Sequence, residues 1–326
     1  MKPSPILFLT LLLAPALARA MNGAGETSGL SLLMPLGARP VAMGEAYSAV
    51  ASGADSLLWN PAGLNQLRDW QVGVGHLSYV QGVSDDLIQV AKPLYGLGAI
   101  GIGATYLSSG PQQFYDVYGN NYDVNTGAPL GSFSTDEFSA QLGMALQLSD
   151  DLAVGLTYKI LRQEYSQAAM GSAFDLGAQW LDLWGKKLEL GFVAQNLGTP
   201  IALGSSFYNL QMAFRLGAAL HPVDGMTLAV EEDFRPWNMP GSSVLFNESI
   251  NLVHVGGEYV VPVGAWQAAV RAGYVLGPAQ DLGSLGGLSV GGGLTLGAWQ
   301  VDYAWAPMGD LGQTHRLSLT YSLGND

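Results

Sequence analysis

Apolar residues alternate with polar or small residues along most of this chain, from about residue 70 onward. In the stretch 210–221 the even positions carry Leu, Met, Phe, Leu, Ala and Leu, and the odd positions carry Gln, Ala, Arg, Gly, Ala and His. A period of two predicts β-strands whose two faces meet different surroundings. Fourteen such segments can be counted, at 70–80, 84–93, 96–107, 135–149, 151–164, 171–182, 187–197, 206–221, 224–234, 248–262, 265–276, 285–296, 298–306 and 313–323.

The connections between these segments alternate in length. Short turns, such as those near Gly96, Asp150 and Gly264, alternate with longer loops, of which the longest spans 108–134. Bacterial outer-membrane barrels combine an even number of strands with short periplasmic turns and longer extracellular loops. The sequence therefore predicts an all-β protein, a 14-stranded antiparallel transmembrane β-barrel over residues 70–326, with both termini on the periplasmic side of the bacterial outer membrane.

The composition fits a protein that meets lipid. Charged residues make up 12% of the chain, against about 25% in typical soluble domains, and 48% of the residues are hydrophobic. Backbone polar groups in a bilayer must be satisfied internally, so a chain without long apolar helical stretches can span it only as a closed barrel. Outer-membrane lipid is therefore an expected partner.

Charge and cysteine content exclude several functional classes. The formal net charge of −13 opposes binding to nucleic acid. Without cysteine the chain has no disulfide, thiolate zinc site, thiol nucleophile or lipidated cysteine. The four histidines lack the spacing of metal ligands, and we predict no metal and no cofactor.

The N-terminal part of the chain has a different character. Lys2, the apolar run 6–13 and the small residues around Ala18 predict a cleavable signal peptide over residues 1–20. Residues 21–69 lack the period of two, contain three prolines, and allow a short helix within 41–51. A 14-stranded barrel is wide enough to need a plug or a cargo. We therefore predict that residues 21–69 form a plug on the periplasmic side.

Two stretches of this segment resemble a known family. The sequences GARPVAMGEAYSAVA at 37–51 and ADSLLWNPAGL at 54–64 are similar to the N-terminal hatch of the FadL-type outer-membrane superfamily, and most similar to its PorV/PorQ branch. The chain departs from the family at its end, Leu323-Gly324-Asn325-Asp326, where most such barrels carry an aromatic residue that is read during insertion by the barrel-assembly machinery. The resemblance implies that the hatch residues include Arg39, Gly44, Glu45, Asn60, Pro61, Ala62, Gly63 and Leu64.

Charged residues of both signs fall on the predicted lumen face. They can form an ion-paired network that holds wall and plug together, or a polar constriction along a transport path. The set comprises Lys159, Asp175, Glu189, Arg215, Glu231, Asp233, Glu258, Arg271, Asp302 and Arg316.

Glycines in the third predicted strand suggest a lateral gap in the wall, because glycine weakens strand packing. These are Gly96, Gly98, Gly101 and Gly103. The G-x-S-x-G match at 287–291 and the G-x-G-x-x-G match at 96–101 lie inside alternating strands without the required helix. No catalytic residue is therefore predicted.

Two functional classes remain open at this point. A FadL-like protein is expected to be an energy-independent conduit for a hydrophobic small molecule. A PorV-like protein is expected to serve type IX secretion and to receive secreted cargo proteins. An outer-membrane hydrolase is a remote third possibility. Because fold alone does not reveal function, the first two cannot be separated here, and the slight preference is for the conduit.

Overall fold

The computed structural model describes residues 27–32, 34–115, 120–124, 126–164, 168–203, 206–237, 248–277 and 285–324. The predicted signal peptide, residues 1–20, lies outside the described residues, as do Asn325 and Asp326. Among the described helices, none is long and apolar enough to cross a membrane.

Fourteen antiparallel strands form a closed barrel, as the alternation predicts. The last strand pairs with the first, so the ring has no free edge. In chain order the strands are β1 (Trp70–Ser78), β2 (Ser84–Leu94), β3 (Gly98–Ser108), β4 (Asp136–Gln147), β5 (Leu152–Glu164), β6 (Ala168–Asp182), β7 (Leu188–Gly198), β8 (Ala213–Leu220), β9 (Met226–Trp237), β10 (Glu248–Val263), β11 (Trp266–Leu276), β12 (Leu288–Leu296), β13 (Trp299–Pro307) and β14 (Gln313–Leu323).

The two faces of the wall differ as the period of two requires. In β4 the side chains of Phe138, Leu142 and Met144 point outward and are exposed. Ser139 and Gln141, on the other face, are buried in the lumen. Aromatic side chains lie on the outer surface near both ends of the strands, as in the girdles of outer-membrane barrels. Those near the short turns include Trp70, Trp180, Trp266 and Trp299, and those near the long loops include Tyr106 and Phe138.

One predicted strand is divided in two. The segment 206–221 is not continuous, because the barrel strand β8 begins only at Ala213. Residues Ser206–Leu210 instead form the middle strand of a small sheet with Thr27–Ser28 and Ile201–Leu203. Leu210 is consequently buried against Leu161 and Ile201 rather than facing lipid. The period of two is correct in both pieces, but it does not tell a wall strand from an inner strand.

The remaining elements are short. A 3-10 turn spans Leu30–Leu32, and α1 (Ala38–Ala42), α2 (Ser56–Trp59) and a 3-10 helix at Pro61–Gln66 precede the barrel. Further 3-10 turns lie at Val80–Gly82 and Gly309–Leu311, a helical turn α3 (Leu183–Lys186) joins β6 to β7, and Gln112–Gln113 pairs with Ser132–Phe133 in the longest loop.

The helix expected within 41–51 is displaced towards the N-terminus. It spans Ala38–Ala42 and ends there because Gly44 and Glu45 both have left-handed backbone angles, with φ of 61° and 65°. Glycine adopts this conformation without steric cost, whereas Glu45 is held in it by its surroundings. The chain then runs through turns to α2.

Residues 34–69, here called the inner segment, lie inside the ring of strands. Helix α1 contacts β11, β12, β13 and β14, and the 3-10 helix Pro61–Gln66 contacts β2 to β6 on the opposite side. Met43, Tyr47, Leu57 and Leu64 are among the largest fully buried side chains of the described residues. The core of this protein is therefore the interface between the inner segment and the wall.

Candidate functional site

Inward-facing glycines let the inner segment lie directly on the wall. A Cβ atom added at Gly155 would overlap the backbone of Pro61 and Ala62, and one at Gly191 would overlap the backbone of Ser48. Nine inward-facing glycines on nine strands lie against the inner segment: Gly155, Gly191, Gly256 and Gly273 against its backbone, and the other five chiefly against its side chains. This glycine ring comprises Gly101, Gly143, Gly155, Gly177, Gly191, Gly217, Gly256, Gly273 and Gly291.

Asn60, one of the predicted hatch residues, hydrogen-bonds both the inner segment and the wall. It is fully buried, its Nδ2 donates to the carbonyl oxygens of Ser48 (2.8 Å) and Ala178 (3.2 Å), and its Oδ1 accepts from the N–H of Ala62 (3.2 Å). One side chain thus ties two turns of the inner segment to β6. Pro61 begins the following 3-10 helix, whose N–H groups are oriented by this cap.

The other hatch residues of that block pack closely. A Cβ atom on Gly63 would overlap the carbonyl of Ala51, so only glycine fits there. Leu64 is fully buried and belongs to an apolar cluster with Leu57 and Ala145. The block from Asn60 to Leu64 therefore packs the inner segment directly against β4 to β6.

Arg39 connects the inner segment to the opposite side of the wall. Its guanidinium makes two bonds to the carboxylate of Glu258, at 2.9 and 3.0 Å. Glu258 also accepts from Arg271 at 2.5 Å, and Arg271 reaches Asp302 at 2.7 Å. Two-point arginine–carboxylate pairs combine charge attraction with fixed geometry. The four side chains form one buried chain of alternating charge across β10, β11 and β13.

A second ionic group surrounds Glu231. This carboxylate accepts from Arg215 at 2.5 Å and from the backbone N–H groups of Tyr47 (3.1 Å) and Ser48 (2.6 Å). Arg215 also donates to the carbonyl oxygen of Glu45 at 3.0 Å. The left-handed turn at Gly44 and Glu45 is thereby fixed to β8 and β9. The N–H of Gly44 donates to Ser289, the serine of the G-x-S-x-G match, at 3.1 Å.

Most of the other predicted lumen residues have partners within the wall, and Arg316 has one in the inner segment. Lys159 bonds Asp175 at 2.6 Å and Asn196 at 3.0 Å, and Arg235 bonds Asp233 at 2.7 Å. Glu189 lies 3.4 Å from His221. Arg316 donates to the carbonyl oxygen of Pro35 at 2.9 Å.

The glycines predicted to mark a lateral gap are placed differently from one another. Gly96 lies in the turn between β2 and β3, outside the strand. Strand β3 pairs along its whole length with β2 and β4, so the wall is closed there. A Cβ atom added at Gly101 would lie 3.1 Å from Cδ1 of Leu57 in the inner segment, and one added at Gly103 would lie 3.1 Å from Oε1 of Gln141. A lateral opening at this strand stays a prediction.

The inner segment separates two cavities. One, of about 250 Å³, opens near the short-turn end and is polar, with lining residues that include Arg39, Tyr47, Asp55, Arg68, Gln71 and Ser322. The other, here called the outer pocket, has about 60 Å³ of open space on the long-loop side. Apolar residues of the N-terminal segment line one part of it, and polar residues of β3, β4, β5, β7, β8 and β9 line the rest.

Two acidic groups of the inner segment, Asp55 and Tyr47, have raised pKa values. Burial raises the pKa of Asp55 to about 6, the charge of Asp302 adds to this increase, and Arg39 opposes it. Burial also raises the pKa of the Tyr47 hydroxyl to about 12. Asp55 therefore titrates near neutral pH at the edge of the larger cavity.

Two uncharged residues of the lumen, Gln179 and Gln195, also position the inner segment. Nε2 of Gln179 donates to the carbonyl oxygens of Ser48, Ala49 and Ala51. Nε2 of Gln195 donates to the carbonyl of Leu58 at 2.8 Å. Both glutamines occupy inward positions in the alternating pattern, which is the signal that could have identified them.

Comparisons with known proteins give matches of structure only. Neither family models nor curated protein sequences match the chain. The toluene transporter TodX of Pseudomonas putida superposes with a TM-score of 0.59 at 11% identity, covering 86% of this chain and 95% of that chain. A FadL homologue of Pseudomonas aeruginosa gives 0.59 at 12%, covering 89% and 99%.

A third structure agrees with these two. The toluene transporter TbuX of Ralstonia pickettii gives a TM-score of 0.57 at 14% identity, covering 89% of this chain and 98% of that chain. The chain has the FadL-type fold. The neighbours that share this fold are described as transporters and channels. At identities of this size only the fold is shared.

Proposed function

We propose that this protein is an outer-membrane conduit for hydrophobic small molecules. The observation that carries the proposal is a FadL-type barrel whose lumen contains the inner segment, with an outer pocket that is apolar on one side. Two neighbours of this fold are described as toluene transporters, and another is described as a monoaromatic hydrocarbon channel. The pocket combines an apolar surface with convergent polar groups, and small-molecule sites use both.

The proposal includes the biogenesis of the protein. Residues 1–20 would direct export and be removed, and the barrel-assembly machinery would insert the mature chain into the outer membrane. Residues 21–69 would act as the plug that a passing molecule must circumvent. Passage then requires rearrangement of the inner segment or an opening in the wall, since the described wall is closed.

Type IX secretion is the alternative function. Its support is the resemblance of residues 37–64 to the PorV/PorQ branch, and the structural neighbours add nothing to it. A knockout that alters the set of secreted proteins and leaves hydrocarbon uptake unchanged would favour this alternative.

The conduit is tested by uptake of radiolabelled toluene and other hydrophobic compounds into cells that express the protein in place of their own FadL-type proteins. Ala213→Phe places a large side chain at an inward position that lines the outer pocket. We expect uptake to fall at least about tenfold. Ala218→Phe is the matched control, because Ala218 lies on the lipid face of the same strand. Equal uptake by both variants and by cells without the protein would refute the proposal.

A further inference from the structure

The outer pocket lies between an apolar surface and a polar surface. Leu32, Met34, Leu36, Leu58 and Trp59 line the side formed by the N-terminal part of the chain. The wall side carries cations, amides and hydroxyl groups. A molecule with an apolar body and a polar group fits such a pocket better than one without a polar group.

The cations of the pocket are already neutralised. Lys159 has Asp175 at 2.6 Å, Arg215 has Glu231 at 2.5 Å, and Arg235 has Asp233 at 2.7 Å. Glu45 also lines the pocket and adds a fourth carboxylate. An anionic ligand would have to displace an existing carboxylate and would meet the charge of Glu45. The pocket therefore disfavours a carboxylate ligand.

Hydrogen-bonding capacity remains at two other residues of the same pocket. Oγ of Ser31 and Oε1 of Gln141 are buried and have no hydrogen-bond partner within the described part of the chain. Both residues line the pocket and are at least nine-tenths buried. Leaving such groups unpaired is costly, so a ligand that supplies a donor here gains affinity.

The surroundings of Gln141 extend this polar surface. Gly103 lies between Gln141 and Gln89 on the inner face, 3.1 Å from Oε1 of Gln141 and 3.3 Å from Cγ of Gln89 when a Cβ atom is placed on it. Both amide atoms of Gln89 are also unpartnered among the described residues. Gly103 thus leaves a neutral, unfilled hydrogen-bonding surface next to the pocket.

We propose that the outer pocket binds the neutral hydroxyl group of a hydrophobic alcohol, with the hydroxyl at Ser31 and Gln141 and the apolar body along Met34 and Leu58. This inference rests on the proposed function and specifies its substrate class. The open volume of about 60 Å³ holds only the hydroxyl group and the adjoining part of a slender apolar chain, so the rest of the ligand extends out of the pocket.

The test compares three ligands with the same chain length: 1-octanol, octane and octanoate. Binding of each radiolabelled ligand is measured with the full mature protein in lipid nanodiscs, with empty nanodiscs as the blank. We expect 1-octanol to bind about tenfold more tightly than octane and octanoate, as one additional satisfied hydrogen bond allows. Octanoate binding as tightly as 1-octanol, or octane doing so, would overturn the inference.

Substitutions at Gln141 and Ser31 test whether these residues bind the hydroxyl group. Gln141→Leu should weaken 1-octanol binding about tenfold and leave octane binding unchanged. Gln267→Leu, at an exposed position near the short-turn end, is the control and should change neither. Ser31→Ala gives a second test that removes only a hydroxyl, should Gln141→Leu fail to give a folded barrel. Equal 1-octanol affinity in wild type, Gln141→Leu and Ser31→Ala would contradict the inference.

Failure of the inference differs from failure of the proposed function. If octane or octanoate binds as well as 1-octanol and is taken up by cells, the conduit stands and the hydroxyl preference is wrong. If none of the three binds and none is taken up, the conduit itself is wrong.

Discussion

Asn60 shows how much a single side chain can hold in a barrel of this kind. It satisfies two carbonyl oxygens and one N–H group at a site with no access to water. Unpaired polar groups in such a place cost about 1–3 kcal/mol each. The Asn-Pro dipeptide at 60–61 signals a turn in the sequence, but the bond to Ala178, 118 residues away, is a property of the folded barrel.

The first prediction concerns this residue. Asn60→Ala should weaken the attachment of the inner segment to the wall by about 2–3 kcal/mol, because it removes a helix cap and two hydrogen-bond donors. Hydrogen–deuterium exchange of the amides in 46–64 should accelerate accordingly, while exchange in the strands stays slow. Asn65→Ala is the control, since Asn65 bonds only the exposed Gln147 among its described partners. Unchanged exchange in Asn60→Ala would contradict this role.

A second prediction concerns Asp55 and pH. Its pKa of about 6 in the folded protein exceeds the ordinary value of 3.8, so the folded state holds the proton more tightly than the unfolded chain. The resulting stabilisation is present at low pH and is lost as the pH rises through about 6. Between pH 5 and 7.5 the loss amounts to about 1 kcal/mol.

Asp55→Asn tests this titration. The variant cannot ionise at this position, so exchange of the amides near residue 55 should lose this part of its pH dependence and be slower than in wild type at pH 7.5. A wild-type protein and a variant with the same pH dependence would show that Asp55 does not titrate in this range.

At the scale of elements, the close approach of the inner segment explains why glycine occupies several inward-facing positions of the wall strands. Glycine within a strand ordinarily costs about 0.5–1 kcal/mol relative to alanine. At Gly191 this cost is offset because a Cβ atom would overlap the backbone of Ser48. Gly75 also faces the lumen, but a Cβ atom there meets Leu87 at an ordinary 3.6 Å.

These two glycines give a third prediction, in which the same substitution has opposite effects. Gly191→Ala should displace the inner segment and destabilise it by about 1–3 kcal/mol. Gly75→Ala should be neutral or slightly stabilising. Thermal melting and single-channel conductance in planar bilayers would measure both, with a raised conductance expected only for Gly191→Ala. Equal behaviour of the two variants would show that contact with the inner segment does not explain these glycines.

Sequence alone predicts the wall much better than the interior. Strand positions follow from a local pattern, and all fourteen barrel strands were located from it. The pattern does not reveal the interruption of the segment 206–221 before Ala213, because a strand of the small inner sheet alternates just as a wall strand does. The partners in the lumen were missed because Arg39 and Glu258 are 219 residues apart, and only the register of the closed ring brings them together.

For the whole molecule, closure of the barrel wall and filling of its lumen are separate properties. Pairing of β14 with β1 removes the last edge of the sheet, so unfolding has no exposed edge at which to begin. Filling comes from the inner segment, which contacts strands on opposite sides of the ring. A barrel of fourteen strands is wide enough that side chains alone do not close it.

The fourth prediction separates these two properties. The mature protein should migrate faster on a gel before boiling than after it, because the closed barrel resists detergent. Deletion of residues 21–69 should preserve this behaviour and increase single-channel conductance, since the lumen would then admit water. Deletion of the loop 112–133 serves as the control and should leave conductance low. Wild-type conductance in the variant that lacks residues 21–69 would mean that the wall side chains or outer loops close the pore.

The glycine ring also bears on how such sequences diverge. At Met43, Ser48 and Pro61 the wall meets backbone atoms of the inner segment, and backbone is common to all amino acids. At these positions the wall fits the backbone path of the inner segment and places little constraint on which side chains the segment carries. Substitutions can therefore accumulate on the segment while the small residues opposite it stay fixed. The inward-facing small residues that contact a plug should therefore persist in the strands of a related barrel after the plug's own sequence has become unrecognisable.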